Sequence, residues 1–104
     1  AAVSACEAVD RCLGRIADYL LARGGAMLIT ADHGNAEIMR DPVTGEPYTA
    51  HSLNPVPLIL LDSDHQGCTL KQGGALKDIA PTILTLMGIP VPQEMEGVNL
   101  LECR

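Results

Sequence analysis

The sequence predicts an α/β fold, a parallel sheet with flanking helices, of which these residues supply only a part. Two pairings of pattern lead there. A helical amphipathic stretch near the start is followed, after two glycines, by a short apolar run without alternation. A second such run at Val56–Leu61 is followed by a second helical pattern near Lys77–Met87. Composition agrees: the hydrophobic fraction is 47%, with two Tyr and no Phe or Trp, so the core is built from aliphatic layers of the kind that sheets and helices make together.

The elements follow in order. At 100° per residue, Ala2, Ala5, Val9, Cys12, Leu13, Ile16 and Leu20 fall in an arc roughly 100° wide, while Glu7, Asp10, Arg11 and Asp18 lie outside it. Glu7 and Arg11 form an i,i+4 pair that supports the helix. It should stop near Arg23, because Gly24 and Gly25 supply a left-handed cap and a turn. Ala26–Thr30 is apolar without alternation, the pattern of a strand buried on both faces in a parallel sheet. A helix leading into such a strand is half of a βαβ unit, so another strand is expected before Ala1. From Ala31 to Pro55 the pattern is broken by Gly34, Pro42, Gly45, Pro47 and Pro55, a long irregular loop of the kind that carries function. Val56–Leu61 is the second strand, with its prolines confined to the start. Asp62–Gly67 is a polar loop. The second helix runs from about Lys77 to Met87, with Leu76, Ile79, Ile83, Leu86 and Met87 on one face, Asp78 as a cap, Pro81 in the first turn and Gly88 as the stop. The tail after Pro92 reads as irregular.

Length and charge set the outer bounds. A chain of 104 residues makes one small domain. With 7 Lys plus Arg against 13 Asp plus Glu, the net charge is −6, and no basic run offers a surface to nucleic acid or an anionic membrane. No apolar run approaches the twenty or so residues that span a bilayer. The opening AAVSACEAVD lacks a basic start followed by an apolar stretch, and it begins inside a helical pattern, as expected of a segment of a longer polypeptide. Cys6, Cys12, Cys68 and Cys103 form no CxxC pair. On one helix, Cys6 and Cys12 would be about 9 Å apart, beyond disulfide reach. Four reduced thiols in a cytoplasmic protein is the expectation.

Chemistry concentrates in the loop after the first strand, Thr30-Ala31-Asp32-His33-Gly34-Asn35-Ala36-Glu37. Loops at the carboxyl ends of sheet strands are where α/β folds place their sites. A carboxylate and an imidazole presented together suit a divalent ion of the Mn²⁺ or Zn²⁺ type. His51, just before the second strand, is the candidate that returns to the same locality. On the residues alone, an Asx turn with a loop histidine is the favoured account of Asp32 and His33, and a hydrogen-bonded loop histidine is the favoured account of His51. His65 reads as a solvent-exposed residue of a polar loop. Ser4 and Ser52 lack any nucleophile signature such as GxSxG, no phosphate-binding GxxxxGK[ST] loop occurs, and Gly73-Gly74 reads as a turn.

Taken together, Leu28-Ile29-Thr30-Ala31-Asp32-His33-Gly34-Asn35-Ala36-Glu37, Tyr48-Thr49-Ala50-His51, Asn54-Pro55-Val56-Pro57, Gly73-Gly74-Ala75-Leu76-Lys77-Asp78-Ile79-Ala80-Pro81-Thr82 and Gln93-Glu94-Met95-Glu96-Gly97 closely resemble the cofactor-independent phosphoglycerate mutases. The resemblance covers nearly the whole chain, in the family's order and spacing; ADHG alone would point only to the wider alkaline-phosphatase-like superfamily. It implies that residues 1–104 are the C-terminal part of an alkaline-phosphatase-like metal-binding domain. It further implies interconversion of 3-phosphoglycerate and 2-phosphoglycerate through a phosphoserine, with two divalent ions, Mn²⁺ or alternatively Mg²⁺, Zn²⁺ or Co²⁺. Asp32 and His33 match ligands of one ion, and His51 matches a ligand of the other. Tyr48 stands where many relatives have His. The serine nucleophile, the remaining ligands and the substrate-binding residues are expected upstream, so the segment alone is expected to be inactive or marginally folded. A phosphatase or phosphopentomutase of the same superfamily, or a non-catalytic fragment, are the rival readings.

Overall fold

The computed structural model describes residues 1–34, 43–45 and 54–103. Helix α1 spans Ala2–Ala22. Its end is set by glycine chemistry: Gly24 takes φ 72°, Gly24 N–H donates to Leu21 O at 3.2 Å, and Gly25 N–H donates to Leu20 O at 2.8 Å. That pair of bonds is a Schellman motif, which satisfies carbonyls the helix itself leaves open. Arg23 adds a second fastening by stacking its guanidinium 3.5 Å from the Tyr19 ring centroid.

The apolar stripe of α1 matches the sequence pattern, but none of its residues is buried. Val9 and Ile16 are 58% and 49% exposed, and Cys12, expected on a buried stripe, is an exposed free thiol like Cys6. Periodicity reveals which face a helix can bury; the surface that covers it has to come from elsewhere.

Strand β1, Met27–Thr30, and strand β2, Leu58–Leu61, form a two-stranded sheet. They pair antiparallel, with Met27 opposite Leu61 and Thr30 opposite Leu58. The parallel arrangement expected from the two apolar runs therefore does not describe how these strands meet. An unalternating apolar run reports burial on two faces and carries no information on strand direction. The antiparallel register has a consequence for the site: it sets the end of β1 beside the start of β2, where Thr30 Oγ1 donates to Pro57 O at 2.8 Å.

The polar loop after β2 contains a single 3₁₀ turn, Ser63–His65. Asp62 organises it: one carboxylate oxygen accepts from Asp64 N–H at 3.0 Å and the other lies 2.6 Å from His65 Nδ1. His65 is accordingly half-buried rather than solvent-exposed.

Two strands went unforeseen. Strand β3, Cys68–Leu70, pairs antiparallel with strand β4, Leu101–Cys103, in a second two-stranded sheet. Cys68 stands opposite Cys103, and the two are joined as a disulfide across 35 residues of sequence, which corrects the expectation of four reduced thiols. Neither strand is longer than three residues, too short for a period-2 signal, and only their register brings the cysteines together.

The second helix begins with a 3₁₀ turn, Leu76–Asp78, and continues as α2, Ile79–Leu86. Gly88, φ 73°, ends it with a second Schellman pair, Gly88 N–H to Thr85 O and Ile89 N–H to Leu84 O. The buried side chains on this element are Asp78, Pro81 and Thr82, whereas Leu76, Ile83 and Met87 of the predicted apolar face are exposed. What α2 packs against is the tail. Asp78 accepts from Ala75 N–H through Oδ2 and from Val98 N–H through Oδ1, both at 2.8 Å. Thr82 Oγ1 donates to Asp78 O at 2.7 Å and accepts from Leu100 N–H at 3.0 Å. Gly97 passes so close to Lys77 that a Cβ there would collide with the Lys77 carbonyl. The tail is thus bolted down by polar groups and one close backbone crossing, and Leu100, 4% exposed, is the buried apolar residue at its centre.

Candidate metal centre

β1 ends at Thr30, and the next turn carries Asp32 and His33, with Gly34 buried behind them. The two candidate donors converge. His33 Nε2 lies 3.3 Å from Asp32 Oδ1, and His33 Nδ1 lies 3.1 Å from Gly34 O. The second contact suits a hydrogen bond in which Nδ1–H donates to the carbonyl, the device that fixes the tautomer of a metal-binding imidazole and turns its Nε2 outward. Donor atoms 3.3 Å apart can both reach one ion at the bond lengths of about 2.0–2.2 Å typical of imidazole and carboxylate. The Asp32 side chain is 79% exposed and that of His33 37%, so the pair faces open space.

That space is a cleft of about 680 Å³. The β1 end supplies Thr30, Asp32 and His33; Asn54 and Pro57 precede β2; Gly73 and Gly74 form the facing wall. The glycine pair read as a turn from sequence is therefore also a rim of the site. A Cβ on Gly74 would press into Leu100, so this wall is packed directly on the buried centre of the tail. Lys71 brings a cationic side chain to the same cleft. Lys71 carried no motif signal, because its membership depends on β3; Thr30 and Asn54 lie within quoted motifs, but their place at the cleft depends on the β1–β2 register.

His51 lies outside the described residues, as do Asn35, Glu37 and Tyr48. Among the described residues no group of three or more His, Cys, Asp or Glu side chains is placed to hold a metal. Asp32 and His33 are two donors of a fitting kind, short of the three protein ligands that a catalytic ion ordinarily takes.

Comparison with known proteins accords with this donor chemistry. Residues 1–91 match the Metalloenzyme superfamily. The chain is 57% identical over 101 residues to a 2,3-bisphosphoglycerate-independent phosphoglycerate mutase of Clostridium perfringens (strain SM101 / Type A), covering 97% of this chain and 20% of that protein. It is 55% identical over 102 residues to the protein so named in Rhodopirellula baltica, covering 98% of this chain and 19% of the relative. With the one from Clostridioides difficile it shares 50% identity over 101 residues, 97% of this chain and 20% of the relative. The chain thus spans about a fifth of the length of these relatives. Matched over most of its length, and carrying an imidazole and a carboxylate that converge at a strand end, the chain belongs to the Metalloenzyme superfamily.

Proposed function

We propose that this chain is the C-terminal segment of an isomerase that interconverts 3-phosphoglycerate and 2-phosphoglycerate by phosphoryl transfer through a phosphoserine. The observation that carries the reading is the convergence of Asp32 and His33 at the cleft, in a chain 50–57% identical across nearly its whole length to proteins named for that reaction. Two divalent ions, Mn²⁺ by preference, supply the electrophilic chemistry when bound: they lower the pKa of a serine hydroxyl and neutralise charge on a transferring phosphoryl group.

The chain's own groups have narrower tasks. Asp32 and His33 hold one ion, and His51 contributes to the other. Gly34 O orients the His33 ring, and the Thr30–Pro57 bond fixes the loop's base relative to β2. The rest of the polypeptide supplies the serine, the remaining ligands, the phosphoglycerate-binding groups and the strands, parallel to β1, that complete the sheet. It also covers the apolar stripe of α1. The protein acts in the cytoplasm on a small phosphorylated acid, without nucleic acid or membrane; among the described residues no helix is long and apolar enough to cross a bilayer.

The test is turnover of 3-phosphoglycerate by the full-length polypeptide, with and without Mn²⁺, compared with residues 1–104 alone. Metal-dependent formation of 2-phosphoglycerate by the full-length protein and none by the segment is the expected result. Release of inorganic phosphate in place of isomerisation would transfer the assignment to a phosphatase.

A further inference from the structure

The short β3–β4 pair has an end that the proposed reaction does not use. In an antiparallel ladder, directly opposed residues alternate between hydrogen-bonded pairs and closer, non-hydrogen-bonded pairs, whose Cα atoms approach to about 4.5 Å. Lys71 N–H donates to Leu100 O at 2.8 Å, which marks Lys71–Leu100 as hydrogen-bonded. Stepping along the register, Leu70–Leu101 is the close kind, Thr69–Glu102 the bonded kind, and Cys68–Cys103 the close kind again. The two cysteines thus occupy the ladder position that brings side chains nearest, with Cα atoms 4.2 Å apart, and they are joined.

We propose that Cys68 and Cys103 form a reversible redox latch that fastens the C-terminal strand to β3 and steadies the cleft wall. Beyond the Thr82–Leu100 fastening just before it, this strand has only a short ladder: it is three residues long, and Glu102 and Cys103 are exposed. The pair adjoins the site, because β3 runs straight into Lys71–Gly74 on the cleft wall and β4 follows directly on Leu100, which packs on Gly74. In the reducing cytoplasm that the proposed function implies, on which this inference rests, a disulfide is transient and switching rather than permanent. This one, with Cys103 exposed and Cys68 half-buried, is open to exchange from the Cys103 side.

The chemistry balances with a low-molecular-weight disulfide as oxidant. The Cys103 thiolate attacks one sulfur of the small disulfide and expels a thiolate. The Cys68 thiolate then attacks Cys103 Sγ in the mixed disulfide and expels the second. The protein loses two thiol protons, which the two small thiolates take up, and two electrons pass from the protein to the small disulfide. Excess small thiol reverses each step.

The experiment uses the full-length polypeptide equilibrated in oxidised or in reduced glutathione, with free thiols mapped by differential alkylation and mass spectrometry. The expected result is a Cys68–Cys103 linkage in the oxidised buffer, two alkylatable thiols in the reduced one, and Cys6 and Cys12 free in both. Proteolytic clipping within residues 90–103 should quicken at least about tenfold on reduction, as befits loss of a cross-link on a marginal strand. Cys103→Ser should be clipped at the fast rate in both buffers. Alkylation of both cysteines in the oxidised buffer, linkage that persists in reduced glutathione, or equal clipping in the two buffers would each overturn the proposal.

Discussion

Thr82 is the buried hinge of the tail's polar fastening, and Thr82→Val isolates what that fastening contributes. The side chain is 0% exposed; its hydroxyl donates to Asp78 O at 2.7 Å and accepts from Leu100 N–H at 3.0 Å. Valine has nearly the same shape, so no cavity opens. What changes is that the Leu100 amide, on a residue 4% exposed, loses its acceptor. Leaving a buried donor unsatisfied costs about 1–3 kcal/mol; the hydroxyl's own bond to Asp78 O is lost as well, and the extra apolar methyl offsets a similar amount, so the net loss is about 2 kcal/mol. At 1.4 kcal/mol per factor of ten, that is roughly 30-fold. Amide hydrogen exchange on the full-length protein reads it locally. Exchange at Leu100 and along Leu101–Cys103 should accelerate roughly 30-fold, with amides of Met27–Thr30 unchanged. Undiminished protection at Leu100, or loss spread equally over β1, would refute the reasoning that Thr82 joins the tail to α2.

Other outcomes follow from the same fastening and from the site. The Asp78 carboxyl is held below the usual carboxylate range chiefly by the Val98 amide and then the Ala75 amide, with Lys77 adding to them and burial opposing. A carboxyl whose folded pKa is depressed contributes stability that is complete above its ordinary value of about 3.9 and lost as pH falls towards the lowered one. Protection of Val98 should therefore weaken below about pH 4, and Asp78→Asn should remove that pH dependence; an unaltered profile would deny the role. Gly97→Ala drives a Cβ into the Lys77 carbonyl, backbone against backbone. It should cost about 1–3 kcal/mol, read as faster proteolysis within residues 90–103, and a wild-type clipping rate would contradict the crossing. Asp32→Ala and His33→Ala should each weaken Mn²⁺ binding to the full-length protein by more than about 100-fold, beyond the range typical of a merely supporting residue; unaltered affinity in both would favour a non-catalytic fragment.

Local physics was legible in the sequence. Both helix ends were marked by glycines that do take positive φ, at Gly24 and Gly88, and the Asp32–His33 turn sits directly after the strand expected to present it. Asp78, read as a cap, makes no side-chain cap bond at the start of α2 and instead accepts from Ala75 N–H three residues earlier; its reach of 20 residues to Val98 was invisible, since a carboxylate's second partner is decided by tertiary packing. The direction of β2 relative to β1 failed for the reason that apolar runs encode burial alone. The Cys68–Cys103 pair failed because strands of three residues leave no periodic trace, and spacing rules test only neighbours on one element. Lys71 and Gly74 joined the site through β3 and close packing, neither of which a one-dimensional pattern holds.

The most direct measurement is an anomalous-scattering map from Mn²⁺-soaked crystals of the full-length protein. The account predicts a peak within roughly 2.0–2.3 Å of both Asp32 Oδ and His33 Nε2, with a second peak bonded to His51. Manganese bound elsewhere, with the Asp32–His33 turn bare, would contradict it.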